Sequence, residues 1–167
     1  LVVHYAVRVG RTLDIALAVS NAGDAPVRVE EAQHTYLRVD DVEVTSVHGL
    51  EDVAFVDKTA PAGTEPLRAP EGEALVPQGQ VDRVYLATSG PVQVDDGTRT
   101  LRVTKRSSET TVVWSPGAEV AARMDMGEGE WRQMVCVETS NVGAHAVVIE
   151  PGQSRTLGSS YEVLPAG

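Results

Sequence analysis

The chain has a single cysteine, Cys136, among 167 residues. One thiol cannot build an internal disulfide framework or a zinc site made of cysteines. It suits a reducing compartment such as the cytoplasm. Positive charge is scarce: Lys and Arg total 14 against 24 Asp and Glu, for a formal net charge of −10. So acidic a surface repels phosphate backbones and anionic headgroups, which argues against nucleic acid and membrane as partners. No apolar run approaches the roughly 20 residues that cross a bilayer as a helix. No basic segment followed by an apolar one marks a signal peptide. The first residue is Leu1 rather than Met, so a preceding stretch, with any targeting segment in it, is expected to be missing.

What the chain does have is valine, 28 of them, together with 15 Gly and 9 Pro. β-Branched residues suit a pleated surface, and this composition reads as many strands joined by tight turns. Hydrophobic residues make up 42%, enough to bury a core, and the length fits one domain spanning 1–167.

The alternation is visible from the start. Val3, Tyr5, Val7 and Val9 share one face, and after Gly10 the residues Leu13, Ile15, Leu17 and Val19 alternate with polar and small ones. The turn cluster Asn21–Pro26 then leads to Val27 and Val29, which predicts a hairpin between these two runs. Further strands are expected over Val42–Val47, Val81–Thr88, Thr110–Trp114, Gln133–Thr139 and His145–Ile149, with a last one over Thr156–Val163. Asp95-Asp96-Gly97 between alternating runs predicts another hairpin. Ala60–Gly79, with four prolines, reads as loop with at most a short strand near Leu75. Ser115-Pro116 before Ala118–Met124 predicts a short helix with Ser as its cap and Pro in its first turn. The expected fold is all-β: an antiparallel β-sandwich of two sheets with one short helix.

Several chemistries are excluded by motif. There is no phosphate-cradling Walker loop and no dinucleotide glycine fingerprint. No His-Glu-x-x-His occurs, and His4, His34, His48 and His145 lack metal-ligand spacing. Ser107-Ser108 has no elbow glycines for a serine nucleophile. Lys105-Arg106 is an isolated pair and reads as a solvated hairpin end.

Two places remain. His34 sits in Glu31-Ala32-Gln33-His34-Thr35-Tyr36-Leu37-Arg38-Val39, where it fits either a core histidine bonded to backbone or an acid–base group. Met134-Val135-Cys136-Val137-Glu138 is apolar on both faces and reads as a central buried strand. Glu138 ends that run on the face of Met134 and Cys136. It is either a carboxylate in a cleft, which needs partners, or a solvated one just past the strand. A His and a buried Glu on opposing strands would make an acid–base pair.

In order along the chain come Ala32-Gln33-His34-Thr35-Tyr36, Gly49-Leu50, Val56-Asp57-Lys58, Val81-Asp82-Arg83-Val84-Tyr85, Val113-Trp114-Ser115-Pro116-Gly117, Met124-Asp125-Met126-Gly127 and Met134-Val135-Cys136-Val137-Glu138. Together they resemble the D-hexose-6-phosphate mutarotases (glucose-6-phosphate 1-epimerases) of the aldose 1-epimerase superfamily. The resemblance implies a galactose mutarotase-like supersandwich. It implies interconversion of the α and β anomers of a hexose 6-phosphate, with no metal, nucleotide or other cofactor. It assigns His34 as general acid, Glu138 as general base and Asp82 as the carboxylate holding sugar hydroxyls.

The chain departs from the family pattern in three ways. Trp114-Ser115-Pro116 stands where Trp-Asn-Pro is usual, and Gln33 where Leu is common. Family members also carry, ahead of this stretch, a second active-site His and arginines that hold phosphate. That portion is expected to be missing here, so no phosphate-binding residue is assigned. Two other readings stay open: a non-catalytic carbohydrate-binding sandwich with Asp82 and Trp114 lining a groove, and an epimerase of unphosphorylated aldoses.

Overall fold

Among the described residues the chain forms fifteen strands and one short α-helix. The structure, a computed structural model, describes residues 1–164. The strands are β1 (Val2–Val9), β2 (Leu13–Ser20), β3 (Val27–Val29), β4 (Glu31–Gln33), β5 (Tyr36–Arg38), β6 (Ser46–His48), β7 (Phe55–Asp57) and β8 (Leu67–Arg68). They continue with β9 (Val81–Leu86), β10 (Val92–Asp95), β11 (Thr100–Arg106) and β12 (Thr110–Ser115). Helix α1 (Gly117–Ala121) precedes β13 (Met134–Asn141), β14 (Val147–Ile149) and β15 (Ser154–Leu164).

One sheet runs β1-β2-β15-β11-β10-β6 and the other β4-β13-β12-β9-β7-β8, with β5 also pairing β13. Every pairing is antiparallel. The two sheets enclose one core, with Val47, Val92, Val94, Val103 and Tyr161 from the first facing Leu37, Phe55, Tyr85, Val113, Val135 and Val137 from the second. This is the antiparallel sandwich expected from the sequence. No helix among the described residues is long and apolar enough to cross a membrane.

Several local expectations give way to tertiary partners. β2 and β3 do not form a hairpin: β2 pairs with β1 and β15, and β3 with β14. Asn21 redirects the chain there, its amide donating to Ala25 O (2.8 Å) and to Ile149 O (2.9 Å). The strand expected over Val42–Val47 is a turn first, Thr45 donating back to Asp41 O at 2.7 Å, and pairs only at Ser46–His48. The helix is five residues long and starts after Pro116 with no side-chain cap. Ser115 is not the cap, because it ends β12 and pairs with Val81.

Lys105 is likewise no solvated hairpin end. It is 8% exposed and crosses from β11 to the other sheet. There its ammonium donates to Thr88 O (2.9 Å), Thr88 Oγ1 (2.8 Å) and Thr111 Oγ1 (2.7 Å). Burial lowers its pKa to about 8, and the oxygens replace the water it has lost.

Candidate active site

All eight residues of β13 are buried, because the strand is central and covered on both faces. Val135 and Val137 join the core between the sheets. Met134, Cys136, Glu138 and Ser140 therefore turn to the other face of the sheet. Antiparallel register builds that face in rows. Tyr36, Cys136, Trp114 and Asp82 stand side by side across β5, β13, β12 and β9. In the next row Glu138 is followed by Val112, Val84 and Val56.

His34 falls in the gap between β4 and β5. The ladders on either side pair Gln33 with Thr139 and Tyr36 with Cys136, so His34 lies opposite Glu138. Its neighbours in sequence turn it outward. Gln33 points into the sandwich, where its amide donates to Leu157 O at 3.3 Å and its carbonyl accepts from Ser159. The hydroxyl of Thr35 bonds that of Tyr161 at 2.7 Å. These bonds give a polar Gln33 a partner at a position where the family resemblance led to Leu.

The resulting contact is direct. His34 Nε2 lies 3.3 Å from Glu138 Oε1, with side chains 52% and 7% exposed. The imidazole stacks on Tyr36 at 4.9 Å and meets Trp114 edge-on at 5.9 Å. Of the two readings of His34, the core histidine is excluded by this exposure. Glu138 is not past a strand end either, since β13 continues to Asn141.

Burial, joined by the charge of Asp82, pushes Glu138 up to about 7, with Lys58 acting in the opposite direction. Burial also raises Asp82, partly offset by Lys58 and His34. Asp82 shares the face, half-buried, two strands from β13. A carboxyl poised near neutrality beside an exposed imidazole can take one proton while the imidazole delivers another.

The structure also brings together what sequence spacing kept apart. Ligand atoms of His34, Cys136 and Glu138 lie within 4.8 Å of one another, with Cys136 Sγ 3.6 Å from His34 Nδ1. Burial and the nearby Glu138 charge raise the Cys136 pKa, so the thiol stays protonated at neutral pH. A metal would have to displace that proton before it could use this donor set.

A hollow of about 380 Å³ opens on the same face, lined by Val56, Lys58, Val84 and Leu86 and by Val142–Ala144 across from them. It begins beside the Glu138 row. Another indentation, of about 490 Å³, lies elsewhere, among Asp57, Glu71, Glu73 and Arg83. Lys58 entered the sequence reading only within Val56-Asp57-Lys58 and with no role of its own, because its place beside Asp82 depends on the β7–β9 register.

Residues 1–162 match the family model of aldose 1-epimerase. The chain is 33% identical over 139 residues to a "Putative glucose-6-phosphate 1-epimerase" of Cenchrus ciliaris, covering 80% of this chain and 40% of that protein. It is 32% identical over 143 residues to a protein of the same name from Escherichia coli K12, covering 84% and 45%. The chain thus spans less than half the length of these curated relatives. Among solved structures, a "putative mutarotase" from Salmonella typhimurium superposes with a TM-score of 0.83 at 25% identity, over 97% of this chain and 53% of that one. An aldose epimerase homologue from C. elegans superposes with a TM-score of 0.69 at 17% identity, over 99% and 59%, a likeness of fold. By the match over residues 1–162 and these two identities, this chain belongs to the aldose 1-epimerase family.

Proposed function

We propose that this face interconverts the α and β anomers of a D-hexose 6-phosphate. The observation that carries the reading is the 3.3 Å contact between an exposed His34 and a buried Glu138. Both family membership and the names of the relatives support it. In the reaction, Glu138 takes the proton from the anomeric hydroxyl while His34 delivers one to the ring oxygen. The C1–O5 bond breaks as the C1–O1 bond becomes a carbonyl. Rotation about C1–C2 presents the other face of the aldehyde, and the steps reverse. Both protons return, so the cycle needs no reductant, oxidant or nucleotide. Asp82 accepts hydrogen bonds from sugar hydroxyls, and Trp114, half-buried beside His34, offers an apolar wall to the ring.

The test is polarimetry or anomer-resolved NMR on freshly dissolved α-glucose 6-phosphate, with the spontaneous rate subtracted. Turnover climbs as pH rises through about 7, where Glu138 loses its proton. Glu138→Gln keeps the shape and removes the base, so kcat falls by roughly 10²–10⁴, the usual worth of general-base catalysis. Near-normal turnover in that variant removes Glu138 from the mechanism.

The net charge of −10 favours a second reading, an epimerase of unphosphorylated aldoses, since a negative surface repels a phosphorylated sugar at long range. Running α-glucose beside α-glucose 6-phosphate separates the two.

A further inference from the structure

One buried reactive group of the site has no part in the reaction as written. Cys136 is a free thiol with no exposed surface. It shares the face of β13 with Glu138, and Tyr36 and Trp114 stand beside it on the neighbouring strands. Its Sγ lies 3.6 Å from His34 Nδ1, while Nε2 of the same ring faces Glu138 Oε1 at 3.3 Å. The two ring nitrogens are thus divided. One is turned to the buried strand, the other to the carboxylate. Among the described residues, Cys136 is the one hydrogen-bond partner of Nδ1.

A histidine that works as an acid has to be guarded against two errors. The first is a half-turn of the ring about Cβ–Cγ, which exchanges each nitrogen for a carbon and leaves the shape unchanged. Stacking on Tyr36 at 4.9 Å and the edge contact with Trp114 at 5.9 Å fix the plane of the ring. A flat ring satisfies both contacts either way round, so a polar contact has to tell the two apart. Glu138 supplies one, but gives it up when its oxygen turns to the anomeric hydroxyl. The contact between Nδ1 and Sγ does not depend on the substrate.

The second error concerns the proton. His34 can hand over its Nε2 proton only if Nδ1 keeps its own, since a ring stripped of both would be an imidazolate. The group at Nδ1 must then accept. When the ring is neutral and directs its single proton to the Glu138 carboxylate, Nδ1 is bare and the same group must donate. A thiol does either, weakly. It also does so without charge, because burial and the nearby Glu138 hold the proton on sulfur. A carboxylate in that place would raise the basicity of the imidazole and so blunt the acid. A neutral sulfur leaves the Nε2 proton able to pass to a ring oxygen, which is a weak base.

Resting on the mutarotase reading above, we propose that Cys136 is a positioning residue for the general acid: its sulfur holds His34 Nδ1, so that Nε2 is the nitrogen presented to Glu138 and to the sugar. The test compares Cys136→Ser, Cys136→Ala and Cys136→Val with the wild-type chain, each checked for folding by circular dichroism. A residue that merely fills space predicts Val close to wild type and Ser the worst, because a buried hydroxyl costs more than a methyl. A partner for Nδ1 predicts the reverse order. In the polarimetric assay kcat falls about 10- to 100-fold in Ala and Val, the usual worth of the group that orients a functional imidazole, with KM little changed. Ser recovers part of the loss, its oxygen sitting closer to Cβ than sulfur does.

A second readout requires no turnover. In ¹⁵N NMR of the histidine-labelled chain at pH 8, the His34 Nδ1 resonance moves in Ala and Val to that of an unbonded nitrogen and returns toward wild type in Ser. An Nδ1 resonance that is the same in all four proteins, wild-type turnover in Val, or a Ser variant slower than Ala overturns the proposal. Absence of wild-type turnover on both glucose 6-phosphate and glucose sinks the mutarotase reading instead, and the Nδ1 resonance still decides whether Cys136 holds the ring.

Discussion

Glu138 has Val112 and Val84 as its row neighbours on the strands beyond β13, and these do nothing for a negative charge. Its carboxyl therefore holds its proton up to about 7, against 4.5 for the ordinary group. A pKa raised on folding contributes stability that is complete below pH 4.5 and lost as pH rises through 7. Above that, the folded state carries the cost of a buried charge, up to about 3 kcal/mol. Glu138→Gln is thus expected to stabilise the protein at pH 8 by as much as that figure and to change little at pH 4. Urea denaturation at the two pH values checks it, and a variant less stable than wild type at pH 8 contradicts it. The same substitution that removes the proposed base would then relieve the fold, the usual opposition between a site and its scaffold.

At the scale of elements, the junction of β12 and α1 depends on one glycine. Gly117 takes φ +63°, and a Cβ there would lie 2.6 Å from both Gln80 N and Gly79 C. An L side chain meets left-handed strain and a backbone clash together. Gly117→Ala is expected to cost at least about 2 kcal/mol in urea denaturation. Gly63 has φ +83° but open space around it, so Gly63→Ala bears only the conformational part and costs less. Equal losses at the two sites would mean that the contact with Gly79 and Gln80 relaxes freely. The break between β4 and β5 obeys the same logic with a different outcome. There Gln33 and Thr35 anchor inward and His34 is left to face out.

At the scale of the whole molecule, charge and edge are at odds. The chain is strongly acidic, yet its first twelve residues contain His4, Arg8 and Arg11 and no carboxylate side chain. Val2–Val9 of this stretch form β1, the edge of its sheet, with every residue of the strand exposed, including Val3, Tyr5 and Val7. An edge strand that is long, apolar and without Pro or an acidic gatekeeper recruits other strands. The expected behaviour is association that grows with protein concentration and weakens in Tyr5→Lys, as read by sedimentation velocity. A monomer across the whole concentration range would show that β1 is protected by its own twist.

Some of this was legible in the sequence because it depends on near neighbours. Period-two valines gave the strands, Asp95-Asp96-Gly97 gave the turn between β10 and β11, and the His34 and Glu138 segments stood out by residue type and by family resemblance. Other features belong to partners distant in the chain. β15, at the end of the described residues, enters between β2 and β11, which no local signal in Asn21–Val29 announces. Ser115 reads as a helix cap until Val81 pairs with it across the sheet. Lys105 reads as solvated until Thr88 and Thr111 are brought around its ammonium. Lys58 is one residue of a family-like segment, with no role of its own, until the β7–β9 register sets it beside Asp82. Alternation is a property of the chain itself, carried by side-chain volume and polarity. Register and sheet neighbour are chosen by the free energy of burying both faces of β13 at once, and that quantity exists only in the folded molecule.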